Sequence, residues 1–222
     1  MKRTRLIVVI SLFMSFYAQS QESEYGFWGM YVGTQHWSDK WTTFTEFHWR
    51  DYSVVGEMEG IVARFAGQYD INPTVNVSAG YAYLLSRSYT ELGTVDRNEH
   101  RPYQQLLLRQ KFDRVYINHR YRLEERIFED DFQLRFRYFL QTNIVFNKHN
   151  MEKGAWYFSG YAELFLRTEP PVFDRIRWYA GLGFAVTDNL RLEFGNMAQV
   201  FETGQRHQLQ LFIIHNLHFD PN

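Results

Sequence analysis

The stretch Val115–Ile127, VYINHRYRLEERI, decides the fold. Val115, Ile117, Tyr121 and Leu123 fall on one side of a period-two pattern. Tyr116, Asn118, Arg120, Arg122, Glu124 and Arg126 fall on the other. A helix would mix these sets around its circumference, whereas successive side chains of a strand point to opposite faces. The split recurs on either side. In Trp41–Arg50, Trp41, Thr43, Thr45, Phe47 and Trp49 oppose Phe44, Glu46, His48 and Arg50. Val75, Val77, Ala79, Tyr81 and Tyr83 oppose Thr74, Asn76, Ser78, Gly80 and Ala82. Leu190, Leu192 and Phe194 oppose Arg191 and Glu193, and near the end Leu209, Leu211, Ile213, Leu217 and Phe219 oppose Gln208, Gln210, Asn216 and His218.

Alternation alone also suits a soluble antiparallel sheet with one wet face. Strand length separates the two, because these runs extend over about 10–14 residues, which suits a tilted membrane crossing better than the usual 5–6 of soluble sheets. Trp28, Trp37, Trp49, Tyr83, Tyr103, Tyr138, Trp156 and Trp178 gather toward strand ends, where aromatic girdles meet lipid headgroups. Aromatic residues make up 18% of the 222-residue chain, yet its mean hydropathy is polar. A membrane barrel combines the two because only every second residue faces lipid.

The first twenty residues read as an export leader. Lys2, Arg3 and Arg5 precede the apolar run Leu6–Tyr17, and Ala18-Gln19-Ser20 supplies small residues before a cleavage point at Gln21. The run is too short to span a bilayer as a helix. Removing residues 1–20 takes three of the 24 basic residues and none of the 25 acidic ones, which leaves a net charge near −4 and argues against a nucleic-acid partner. With no cysteine in the chain, neither a lipoprotein anchor nor a disulfide is expected.

The expected architecture is therefore an all-β, antiparallel, transmembrane up-and-down barrel over residues 21–222 with short periplasmic turns. Short turns read at Ser38-Asp39-Lys40, Ile71-Asn72-Pro73, Asp113-Arg114 and Thr187-Asp188-Asn189. Longer loops, expected to face the exterior, read at Tyr52–Gly60, Ser86–Asn98 and Thr168–Asp174. Eleven segments start near 27, 41, 61, 74, 101, 115, 132, 155, 176, 190 and 207. Two periplasmic termini require an even number, so 10 to 12 strands remain open, with Phe27–Gln35 either an incomplete crossing or one strand unrecognised.

Several segments resemble the family known as domain of unknown function 2490: EHRPYQQL (Glu99–Leu106), RLEER (Arg122–Arg126), GYAELF (Gly160–Phe165), FDRIRWYAGLGF (Phe173–Phe184) and LRLEFG (Leu190–Gly195). The resemblance implies a bacterial outer-membrane β-barrel and assigns no activity. Two places depart from the family pattern, which has Asn-Glu where this chain has Ala162-Glu163 and more amides over Asp174–Arg177.

The chemistry is expected on the inward face, which collects Glu46, His48, Arg50, Arg64, Arg101, Arg109, Arg120, Arg122, Glu124, Arg126, Arg135, Arg137, Glu163, Arg167, Arg177, Arg191 and Glu193. One reading is a structural network of Arg–carboxylate pairs that fills the interior. A second starts from the count, twelve arginines against four glutamates, and makes the excess a guide for a small anionic solute. An alternative is a lipid-modifying enzyme using His119 or His215 on the lipid-facing side, and another is loop-mediated binding of a partner. His119 and His215 have no serine obviously beside them, and His149 has no second histidine nearby for a metal. No cofactor or metal is expected, and outer-membrane lipid is the expected surrounding.

Overall fold

The computed structural model describes residues 25–219, so the leader over residues 1–20 lies outside the described residues. Within them the chain forms β1 (Gly26–His36), β2 (Trp41–Asp51), β3 (Met58–Asn72), β4 (Val75–Thr90), β5 (Gly93–Phe112), β6 (Val115–Ile127), β7 (Phe132–Val145), β8 (Trp156–Arg167), β9 (Phe173–Ala185), β10 (Leu190–Phe201) and β11 (Gly204–His218). Each strand pairs antiparallel with its chain neighbour. The barrel then closes through β1 and β11, which run parallel from Gly26↔Gln208 to His36↔His218.

The parallel seam resolves the counting problem. All eleven segments are strands, and β1 is a full member rather than an incomplete crossing. An even count was required only because both ends were expected on one side. The structure instead puts Gly26 and His218 at opposite rims, which an odd number of strands with one parallel pair allows.

Turn lengths alternate as expected at most positions. The short-turn rim carries residues 37–40, 73–74, 113–114 and 186–189, and the opposite rim carries the 52–57, 128–131 and 168–172 loops. Three connections differ, one of them the two-residue turn 202–203 between β10 and β11 at the long-loop rim. Residues 146–155, joining β7 to β8 at the short-turn rim, form the longest connection outside a strand. The expected loop Ser86–Asn98 is mostly a hairpin extension, because β4 continues to Thr90 and β5 starts at Gly93. Arg87 clasps Asp96 across that extension with two bonds of 2.8 Å. This hydrogen bonding holds the Asp96 carboxyl below its ordinary pKa of 3.8, so the clasp is complete at neutral pH and opens as pH falls through the lowered value.

The two faces of the sheet are inverted relative to a soluble barrel. Phe47, Phe65, Val77, Leu123, Leu182, Phe194 and Ile213 are exposed on the outside, whereas the buried residues are more often polar or charged than hydrophobic. Trp37, Trp49, Trp156 and Trp178 stand about half exposed on the outer surface. Trp28 and Tyr103 do not belong with them. Both are 2% exposed in the interior, because even residues of β1 and odd residues of β5 point inward. Tyr157, also interior, lies flat against the wall opposite Gly183, where an added Cβ would sit 2.1 Å from its ring. Since Tyr157 is fully buried and hydrogen-bonded to Glu193, it has nowhere to move. Gly183→Ala is expected to lower stability by about 1–3 kcal/mol, read from the urea midpoint. An unchanged midpoint would mean the ring can swing away.

Candidate functional site

A cavity of about 1180 Å³ runs along the lumen from Glu59, Ser86 and Arg126 near one rim to Lys111, Asn216 and His218 near the other. Its two halves differ. Arginines and carboxylates fill the half nearer the long loops. Toward the short-turn rim the same strands present Val32, Thr34, Phe44, Leu107, Asn118, Gln141, Asn143, Phe212 and Ile214.

Glu124 is the centre of the charged half and is fully buried. Arg137 donates to its Oε1 at 2.5 Å and Arg135 to its Oε2 at 2.6 Å. Arg122 and Arg101 stand at 3.5 and 3.7 Å from it. Register explains the convergence, since Glu124 pairs with Tyr103 on one side and with Arg135 on the other, two residues from Arg101 and Arg137. Arg137 also reaches Glu163, which accepts from Arg120 at 2.6 Å and has Arg177 at 3.7 Å. On the neighbouring wall Glu46 bridges His48 and Arg64, and Arg50 donates to His48 Nδ1 at 3.2 Å. Arg50 and Arg177 both lie over the Trp28 ring, their Cζ atoms 4.1 and 5.0 Å from its centroid.

The structure brings most of the expected interior residues into this lumen. Arg167 is the exception, because it borders a separate small cavity beneath Thr168–Pro170. Arg109 pairs with Asp70 at 2.9 Å near the short-turn rim. Arg191 stays close to Glu193, whose carboxylate accepts from Tyr157 at 2.8 Å.

Four carboxylates joined the network unforeseen. Glu99 takes two bonds from Arg126 and pairs with Arg101 at 2.6 Å. Asp174 pairs with Arg135 and Arg175, both at 3.1 Å. Glu59 holds Trp28 Nε1 and Arg206, both at 3.2 Å, and Asp70 holds Arg109. Two of these sit at register shifts, between Arg50 and Asp51 and between Phe165 and Leu166, where a bulge adds a residue and re-aims its side chain. Glu99 sits inward because β5 begins eight residues before its expected start. With Arg167 left out and Arg175 and Arg206 added, the tally becomes thirteen arginines against eight carboxylates.

The remaining excess is concentrated. Arg64 and Arg120 stand near enough to repel each other, as do Arg50 with Arg175 and Arg177. Arg64 Nε, Arg120 Nε and Arg122 Nη1 are buried with no hydrogen-bond partner. On the outside, His119 meets the Tyr138 hydroxyl at 2.8 Å and His215 approaches that of Tyr31 at 3.5 Å, so the partners of both rings are tyrosines. Among the described residues, no cluster of three or more His, Asp or Glu has metal-binding geometry.

No curated protein and no solved structure matches this sequence. A family model does, over residues 25–210, which spans β1 to the middle of β11 and every charged residue of the lumen, and the chain belongs to that family, described as protein of unknown function DUF2490.

Proposed function

We propose that the chain is a bacterial outer-membrane β-barrel that passes small anionic solutes through its arginine-rich lumen. The observation that carries the membrane reading is the inversion of the two faces, with apolar side chains exposed around the outside and charged ones buried within. In water such an outer surface would be an aggregation hazard, whereas lipid solvates it. The export leader read in residues 1–20 agrees with that destination.

Passage rests on a cavity lined from rim to rim and on thirteen lumen arginines that eight carboxylates cannot neutralise. Rings of arginine select anions by the same electrostatics. The purely structural alternative shares the network but requires the lumen to be closed to ions.

Planar-bilayer recording separates the two. Discrete steps with an anion-selective reversal potential are expected in a potassium chloride gradient. A protein that shows the heat-modifiable gel shift of a folded barrel and yet stays silent would overturn passage. A monomer that is soluble without detergent and shows no gel shift would overturn the membrane reading itself.

A further inference from the structure

The lumen has a second chemical character that simple ion passage does not use. Beside the charged half, a short apolar strip crosses the seam of the barrel, flanked by Glu46, the β2 partner of Val32, and by Arg191 and Glu193, the β10 partners of Ile214 and Phe212. Val32 and Ile214 are direct partners in the parallel β1–β11 pairing, and Met30 is the partner of Phe212. Phe44 continues the strip onto β2, where its neighbour Thr34 lies two residues beyond Val32. These side chains face the lumen rather than lipid, since all line the cavity. Inward apolar side chains in a water-filled channel lose the stabilisation that burial gives them, so such a strip is suited to something apolar lying against it.

The strip ends at cations. Arg64 and Arg120 project into the same cavity from β3 and β6, beside Arg122. Between them these three guanidinium groups have Glu46 and Glu163 as close carboxylate partners, with Glu124 at 3.5 Å from Arg122 and shared with three other arginines. Each of the three retains a buried nitrogen without a hydrogen-bond partner, and Arg122 is only 2% exposed. The Arg120 side chain is 18% exposed and so is open to the lumen. An oxyanion in this position would relieve the repulsion and accept charge-assisted hydrogen bonds.

We infer that the short-turn half of the lumen is a binding pocket for an amphiphilic anion. Its acidic head rests on Arg64 and Arg120, and its apolar body lies along Val32, Phe44, Phe212 and Ile214. The inference deepens the passage reading by naming a ligand class for the same lumen. It fails separately from that reading, because binding is measured without any ion flux.

The probe is octanoate, titrated calorimetrically into the folded barrel held in amphipol, with propionate supplying the head alone and octanol the tail alone. Saturable one-to-one binding of octanoate is expected, with propionate and octanol each at least tenfold weaker. Arg120→Gln should weaken octanoate at least tenfold and leave octanol unchanged. Phe44→Asn should weaken octanoate and leave propionate unchanged. Each variant is scored only with the gel shift of a folded barrel, and Arg64→Gln and Ile214→Asn replace any that fails it. Propionate binding as tightly as octanoate would reduce the site to a plain anion site and overturn the proposal. Octanol binding as tightly would remove the role of the arginines, and absence of saturable octanoate binding to folded barrel would overturn it outright.

Discussion

Replacing Glu124 by glutamine is expected to cost about 3–5 kcal/mol, the usual result of removing one partner from a buried ion pair and stranding the other. The position is extreme because one fully buried carboxylate faces four arginines, Arg101, Arg122, Arg135 and Arg137. Glutamine keeps the shape and one oxygen acceptor, so the loss reports the charge rather than a cavity. Arg122 has Glu124 as its nearest carboxylate, at 3.5 Å, and its hydrogen bonds go to the neutral Gln105. Adding Arg122→Gln to Glu124→Gln should therefore recover part of the loss, since one stranded cation is removed with its partner. The urea midpoint of the gel-shifted, folded band gives both numbers. A single variant within 1 kcal/mol of the parent would show that solvent already screens these arginines. By contrast Asp96→Asn, on the exposed hairpin extension, should leave the midpoint in place and loosen only that hairpin.

The contrast between Glu124 and Glu59 also shows what the sequence can carry. Glu124 was legible because β6 keeps an unbroken register from Val115 to Ile127, so parity alone sends every even residue inward. Glu59 and Asp174 sit where register shifts, and a bulge breaks the parity rule without leaving a compositional mark. Trp28 was misread for a different reason. Tryptophan near a strand end suits a girdle by composition, but here its ring is a platform for Arg50 and Arg177 and its nitrogen bonds Glu59. Tyr103 was misread in the same way, since it packs beneath Arg122 at 4.3 Å. The parallel seam had no local signal at all. Pairing of β1 with β11 joins residues about 180 positions apart, and alternation fixes which face each strand buries without fixing its direction relative to a distant partner. The extension of β4 and β5 past the barrel was hidden because residues 93–98 are exposed on both faces, so hydrophobic alternation fades where the strands continue.

Arg50 and Arg177 define the largest functional effect expected of the lumen. They approach one ring, Trp28, from β2 and β9 and feel each other's charge. Neither hydrogen-bonds a carboxylate: Arg50 bonds His48 with Glu59 and Glu46 nearby, and Arg177 bonds Gln199 with Glu163 at 3.7 Å. A permeating anion therefore meets two cations whose charge is compensated only in part, with no carboxylate hydrogen-bonded to either. At about 4 Å in water-like surroundings each contributes about 1 kcal/mol, and about 1.4 kcal/mol corresponds to tenfold. The double variant Arg50→Gln/Arg177→Gln should thus lower the anion-to-cation permeability ratio by roughly tenfold or more while leaving the barrel folded. Gln is chosen because it retains a polar side chain over Trp28 without the charge. The reversal potential in a salt gradient reads the ratio directly, and raising ionic strength should shrink the difference between parent and variant as the field is screened. An unchanged ratio in a folded, conducting double variant would remove these two arginines from the path of the ion. Selectivity would then have to be sought among Arg64, Arg120 and Arg122, where the carboxylates are closer and each added charge change would also disturb the network that holds the walls together.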